Sequence, residues 1–551
     1  MPPADWFLDA TERGNPWTRL DSRHPDRLAW TSGNRVRALV HGADYFAELL
    51  VALQGLRAGD LVLFAGWRMD ADQRLGPGAD TGVAEVLARA ARRGVDVRGL
   101  LWRSQPAALQ FSAEQNAVAA RTIEAAGGQC LLDMRVRPNG SHHQKFFVLR
   151  HRGRPELDVA FLGGIDVCRS RGDDEDHSGD RQAQPMAAEY GPTPAWHDIQ
   201  LAITGPAVGD VEMVFRERWD DPTALTRSPV RRLNDRRRGP HTVRTDLPPQ
   251  APDPAPAGTH AVQLLRTYPR LRSGYAFAPE GERSVARGYE KVLQAARDLI
   301  YVEDQYLWSS EVAAPFAQAL RDNPGLQLVA VLPHVPDRSG RHSLAPNAVG
   351  RERAVRALRA AGGDRVMLYG LENLAGTAVY VHAKVCIVDD LWASVGSDNL
   401  NRRSWTYDSE LTAAVWDEST DGASPFAVAL RRRLAVEHLG LDEEQGDALD
   451  DPRVMVRAFA ASAARLQAWH DGGRHGARPA GRLRPIVTPR LSPLDRAWGA
   501  RLYDVLYDPD GRRREGVPRA SAPRVRSHRE RPPGERAPGG KVARRPGRSA
   551  R

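Results

Sequence analysis

The triplet His-x-Lys occurs twice in this chain, at His143–Lys145 and at His382–Lys384, and both copies sit in the same surroundings. Ahead of the first, residues 61–67 (LVLFAGW) read as a buried strand, 83–92 as a helix and 95–102 as a second strand. Ahead of the second, residues 299–307, 312–321 and 326–333 repeat that order. Strand–helix–strand spacing of this kind predicts parallel β-α-β units. Each triplet then opens a further apolar run, 143–149 or 382–388, read as a strand. A unit of this size carried twice constrains the chain to an internal duplication, an α/β fold of two similar lobes.

Chance does not explain the pair. With 16 histidines and lysine only at Lys145, Lys291, Lys384 and Lys541, composition predicts about 0.1 H-x-K triplets in the chain. The other basic residues are all arginine, so lysine persists where a planar guanidinium will not serve. A compact ammonium is a point charge that fits a tight phosphate pocket.

The lobes are expected at 34–225 and 260–440, after an N-terminal segment 1–33. They are joined by a breaker-rich linker, 226–259, containing RRLNDRRRGP and PPQAPDPAPAG. Residues 441–510 read as a helical extension, with an amphipathic stretch at 452–470. Residues 511–551 carry 14 basic against 3 acidic side chains, a surplus of 11 that exceeds the +9 of the whole chain. The body is therefore slightly acidic, and the Pro-, Gly- and Arg-rich tail is expected to be disordered. The tail offers peripheral contact with an anionic membrane or with nucleic acid. No apolar run reaches the roughly 18 residues of a membrane span. The start lacks a signal-peptide pattern, and three cysteines, Cys130, Cys168 and Cys386, make no disulfide framework. A cytoplasmic monomer is the expectation.

Residues i and i+2 of a strand share a face, so each triplet presents an imidazole beside an ammonium. Each is followed by a small-residue turn, Gly163-Gly164-Ile165-Asp166 or Gly396-Ser397-Asp398-Asn399. Asp166, Ser397 and Asn399 are candidates to meet a substrate phosphate. Two imidazoles and two ammonium groups suit a phosphodiester: nucleophilic attack splits one displacement into two, a protonated imidazole serves the leaving group, and the cations stabilise the phosphoryl oxygens. No cofactor and no metal enter this scheme.

HHQKFF…FLGGID…WHDIQLAITGPAVGDVEMVFRERW and VHAKVCIVDD…GSDNLNRRSWTYDSEL resemble the two halves of the phospholipase D superfamily, the H-x-K-x4-D family, over about residues 36–440. The resemblance implies pseudo-two-fold symmetry, one active site at the lobe interface, and a covalent phosphohistidine. It implies that Asp198 and Glu410 hold the imidazoles, that His143 is the nucleophile and that His382 is the acid; the residues themselves do not choose between the histidines. The second motif is complete with Asp389. The first has Arg150 at that place, and Asp158, across the hairpin, is the candidate to replace it.

Weaker features are read blandly. The run Asp173-Asp174-Glu175-Asp176, with Asp180, lacks EF-hand spacing and reads as a solvated loop. Tyr306, Trp308 and Trp405 lie close to the motif strands, where they either line a lipid or base pocket or, as is commoner for aromatic residues near strands, pack in the core; Cys386 reads as a small core residue. The leading functional expectation is phospholipase D-like action on glycerophospholipids, by hydrolysis or transphosphatidylation. A cardiolipin synthase-like transferase is a close variant, and a nuclease is less favoured because the slightly acidic body suits nucleic acid poorly. A non-catalytic phosphate-binding module is disfavoured by the retention of both triplets.

Overall fold

In a computed structural model the described residues are 3–104, 112–226, 228, 244–272, 274–337, 341–419, 422–487 and 491–512. Residues 227 and 229–243 of the expected linker and the tail beyond 512 lie outside them. The described chain forms one unit.

The duplication is plain in the strand order. The first half contributes β1 (Thr31–Val40), β2 (Leu61–Gly66), β3 (Asp96–Trp102), β4 (Gln129–Asp133), β5 (Phe146–Arg150), β6 (Val159–Gly163), β7 (Ala195–His197) and β8 (Ile199–Thr204). Its sheet runs β4-β3-β2-β5-β6-β8-β1, parallel across β4-β3-β2 and antiparallel elsewhere. The second half contributes β9 (His260–Tyr268), β10 (Glu282–Arg283), β11 (Leu299–Glu303), β12 (Gln327–Val331), β13 (Val366–Glu372), β14 (Ala378–Val381), β15 (Val385–Val388), β16 (Trp392–Gly396) and β17 (Glu410–Asp417). Its sheet runs β13-β12-β11-β15-β16-β17-β9 with the same directions in the same places. A last strand, β18 (Leu483–Pro485), pairs with β13.

The elements form for local reasons. Every residue of β2 and β11 is buried, which explains their unbroken apolar runs. The helix Val83–Arg92 buries Val83, Ala84, Val86, Leu87 and Ala90 along one stripe and keeps Glu85, Arg89 and Arg92 for its ends. Gly94, at φ +87°, turns the chain into β3.

Two pairings join the halves. At the sheet edges β1 meets β9, with Thr31 opposite Val262. Nearer the centre, β7 of the first half runs parallel to β14 of the second, Ala195 to His197 against Val379 to Val381. A bridge between His142 and Ser409 is its counterpart. The N-terminal segment packs on the second half: Trp6, Phe7 and Leu8 are buried there, and buried Arg13 pairs with Glu282 at 3.3 Å. Lys291, the third lysine, donates to the carbonyls of Ala4 and Phe7 and to Glu12. The expected 452–470 helix is Pro452–Asp471, and Tyr503 of the extension packs on Trp308. No helix among the described residues is long and apolar enough to cross a membrane.

Candidate active site

The structure corrects the placement of both triplets. Strands β5 and β15 begin at Phe146 and Val385, so the histidine and lysine precede them rather than lie on them. The reason is a competing hydrogen bond. The His143 N–H donates to Ser409 O at 2.9 Å and the His382 N–H donates to His197 O at 2.8 Å. Each triplet is thus tied to the opposite half before it enters its own sheet.

That tie explains which acid holds which imidazole. Glu410, at the head of β17, has Oε2 2.9 Å from His143 Nδ1. Asp198, between β7 and β8, has Oδ2 2.6 Å from His382 Nδ1. The acids are exchanged between the halves, so neither half holds a complete imidazole–carboxylate pair. The third backbone contact obeys the same symmetry: Gly164 N–H donates to Ile199 O and Ser397 N–H to Leu411 O, each at 3.0 Å. Gly164 is required here, because a Cβ would lie 2.1 Å from Asp198 Oδ1.

The lysines are buried beside their histidines. Lys145 Nζ donates to His143 O at 2.9 Å, and Lys384 Nζ donates to His382 O. An ammonium on a flexible stem can bend back onto its own i−2 carbonyl and still face the site, which a planar guanidinium does poorly. Lys145 also pairs with Asp166 Oδ2 at 3.1 Å, and Asp166 Oδ1 accepts the Trp67 and Arg68 N–H groups. The sequence reading puts Asp166 on the substrate; the structure commits it to Lys145 and the β2 exit. Ser397 is likewise committed: its hydroxyl donates to Glu410 Oε2 at 2.6 Å. Ser404 donates to the other oxygen at 2.7 Å. Of the three residues expected on phosphate, Asn399 alone keeps a buried side-chain oxygen, Oδ1, without a hydrogen-bond partner.

Asp158 does not replace the missing aspartate. Asp389 accepts the N–H groups of Arg297, Asp298 and Leu299, clamping the start of β11 to the end of β15. Arg150 occupies the equivalent register, opposite Leu61 of β2. There the clamp runs in reverse: Asp60, before β2, accepts the Arg152 N–H at 2.8 Å and pairs with Arg154 at 2.7 Å. Asp158 instead accepts the His151 N–H at 2.6 Å within the β5–β6 turn and pairs with Arg150 at 3.3 Å.

Burial, then Lys145 and Lys384, holds the His143 imidazole well below its ordinary range. Burial, then Lys384 and Arg171, does the same to His382, which also feels Lys145 and His143. Each imidazole is thus within electrostatic reach of the lysine of the opposite half. Burial pushes Glu410 up to about 8 and Asp198 up to about 6, and lowers Lys384 to about 8. The result is two neutral imidazoles beside two ammonium groups, a setting that favours an anion.

Several neighbours escape the sequence reading. Trp67 meets the His143 ring edge-on at 6.3 Å, and Trp196 lies 4.9 Å from the His382 ring. Arg171 sits 3.7 Å over Trp196. The available signal is proximity: Trp196 is two residues before Asp198, and Arg171 adjoins the acidic run. That run is only partly a solvated loop. Asp173 and Asp180 are buried, Asp173 accepting the Trp196 N–H at 2.7 Å and Asp180 the Gly172 N–H at 2.9 Å. Trp308, Trp405 and Cys386 are core, as their surroundings in the sequence imply, and Tyr306 is half-buried against Trp308.

Known proteins resemble this chain at the level of the family. A family model described as "Phospholipase D" matches residues 54–321, and one described as "Cardiolipin synthase, PLD-like domain" matches residues 291–432. Among curated relatives, Phospholipase D alpha 4 of Arabidopsis thaliana is 23% identical over 487 residues, covering 70% of this chain and 62% of that protein. Phospholipase D1 of Homo sapiens is 28% identical over 334 residues, covering 51% of this chain and 30% of that protein. The chain thus spans less than two thirds of the length of these relatives. Among solved structures, phosphatidylserine synthase of Haemophilus influenzae aligns with a TM-score of 0.48 and 14% identity, over 70% of this chain and 82% of that one. Two H-x-K triplets in a duplicated α/β frame, matched by both family models, place the chain in the phospholipase D superfamily.

Proposed function

We propose that the chain is a phospholipase D-like phosphodiesterase that transfers the phosphatidyl group of a glycerophospholipid to water or an alcohol. The observation that carries this reading is the exchanged pairing of His143 with Glu410 and His382 with Asp198, each imidazole beside the lysine of its own triplet, which supports both triplets serving one phosphate. The lipid substrate is supported by the names of the relatives and by the slightly acidic body, which suits nucleic acid poorly.

In this reading Glu410 fixes the tautomer of His143 so that Nε2 presents its lone pair to phosphorus. The Nε2–P bond forms as the P–O bond to the headgroup breaks. His382, protonated when the anionic substrate arrives, gives its proton to the departing alkoxide. It then takes a proton from water or an alcohol, whose oxygen displaces His143 from phosphorus. Lys145, Lys384 and the Asn399 amide stabilise the phosphoryl oxygens throughout. Asp166 and Ser397 act behind this layer, on Lys145 and Glu410.

The test incubates purified protein with phosphatidylcholine vesicles and a primary alcohol, and separately with single-stranded DNA. Phosphatidyl-alcohol formation that disappears in His143→Ala supports the proposal. Cleavage of DNA with no turnover of lipid overturns it in favour of the nuclease reading.

A further inference from the structure

Behind Asp198 lies a second cluster of titratable side chains that the phosphodiester chemistry does not use. His41, His177, His197 and Glu437 are buried, and one donor atom from each lies within 4.8 Å of all the others. They come from four distant parts of the chain. His41 precedes the helix Gly42–Gln54, His177 follows the acidic run, His197 ends β7, and Glu437 lies in the last turn of the helix Pro425–Leu439.

The two nitrogens of each ring face different ways. The inner nitrogens converge on Glu437: His41 Nε2 is 2.9 Å from Oε2, and His177 Nε2 and His197 Nδ1 are 3.1 and 3.3 Å from Oε1. Each outer nitrogen faces another acceptor. His41 Nδ1 is 3.2 Å from the Asp198 carbonyl oxygen, His177 Nδ1 is 3.2 Å from Asp173 Oδ2, and His197 Nε2 is 2.5 Å from Glu303 Oε2.

A neutral imidazole has one N–H and one lone pair. His41 Nδ1 also lies 3.4 Å from the Asp198 N–H, so a neutral His41 can donate from Nε2 to Glu437; His177 and His197 have acceptors on both sides, and each needs either two protons or a proton outside and a cation inside. Doubly protonated His177 and His197 would stand with centroids 5.6 Å apart in the interior, where like charges repel strongly. A central cation meets every contact at once. The lone pairs and the carboxylate turn inward, and each outer N–H donates to an oxygen, the second-layer arrangement that metal-bound histidines almost always show. Ligand bonds of about 2.0–2.1 Å in a tetrahedron set donor atoms about 3.3 Å apart, close to the spacing around Glu437.

We propose that His41 Nε2, His177 Nε2, His197 Nδ1 and the Glu437 carboxylate bind one divalent transition-metal ion of the zinc class in a closed, tetrahedral, structural site. Three imidazoles with one carboxylate select such an ion over magnesium or calcium. The site supports the catalytic floor without touching substrate. The His197 carbonyl accepts the N–H groups of His382 and Ala383 at 2.8 and 3.1 Å, and Asp198 is the next residue. The cation therefore anchors the stretch that presents Asp198 and the second triplet. This inference does not depend on the substrate.

The test measures metal in the full chain, purified from zinc-supplemented medium and dialysed, by plasma mass spectrometry. About one zinc per chain is expected, falling below about a tenth in His177→Ala and in Glu437→Gln. Should those variants fail to fold, the wild-type chain stripped with dipicolinate and refilled with Co²⁺ keeps the question open to measurement: the intense visible bands of tetrahedral cobalt are expected, together with recovery of the Tm lost on stripping. Less than about a tenth of an equivalent in wild type with no Tm response to zinc, a pale octahedral cobalt spectrum, or full zinc in folded His177→Ala overturns the proposal.

Discussion

Ser397 offers a sharp test of how the centre is built, because its role as a phosphate ligand and its role behind Glu410 predict different numbers. Its hydroxyl is 2.6 Å from Glu410 Oε2, the same oxygen that holds His143 Nδ1 at 2.9 Å. Ser397→Ala removes one of the two hydroxyl donors, leaving Ser404 on the other oxygen. With Glu410 pushed up to about 8, its hydrogen bond with Ser397 contributes about 0.5–1.5 kcal/mol; with half of that difference carried into the barrier, kcat falls about 1.5- to 4-fold. Glu410→Gln removes the carboxylate itself and with it the tautomer of His143, a loss of about 10³–10⁴ in kcat by analogy with other triads. The double variant then matches Glu410→Gln alone in kcat, since the Ser397 hydroxyl reaches the imidazole through Glu410, while its bond from the Leu411 N–H at 3.0 Å bears on stability. The assay is steady-state turnover of a chromogenic aryl phosphodiester, with KM for all three variants close to wild type. A Ser397→Ala effect that persists undiminished beside Glu410→Gln, or that raises KM with kcat unchanged, would refute the reasoning and return Ser397 to the substrate.

Other outcomes follow from the same geometry. Asp389→Ala frees three N–H groups at the start of β11, and we expect a loss of about 2–3 kcal/mol in denaturant unfolding with kcat nearly intact. Gly164→Ala drives a methyl against Asp198 Oδ1 and should lower kcat by at least about 10² by displacing the partner of His382, with secondary structure by circular dichroism unchanged. The pH dependence has a worked sign: burial lowers Lys384 from 10.5 to about 8, so its charge is present below pH 8 and lost above it. The rate kcat/KM should therefore fall as pH rises through about 8, and a profile flat to pH 10 contradicts this.

Much of the frame is legible in the sequence because it is written in local periodicity. The apolar runs of β2, β3, β11 and β12 and the helices between them recur in order, and the H-x-K triplets stand out in a chain nearly without lysine. What stays hidden depends on contacts across hundreds of residues. No spacing reveals that β7 pairs with β14, so the exchange of Asp198 and Glu410 between halves cannot be read from either half. The triplets read as strand residues because β5 and β15 are apolar from their first residue, whereas the His143 and His382 N–H groups bond elsewhere. Arg150 looks like a defect compensated by Asp158, because Asp60, which makes the reverse clamp, sits 90 residues earlier. His41, His177, His197 and Glu437 share no motif at all; only the fold collects them.

Catalysis by this centre is expected to be a double displacement at phosphorus, shared between the two halves, and its stereochemical course reports it whichever histidine attacks. A phosphodiester made chiral at phosphorus, turned over with an alcohol acceptor and read by ³¹P NMR, should give product with net retention from two successive inversions. Net inversion would mean a single direct displacement, with no phosphohistidine on the path.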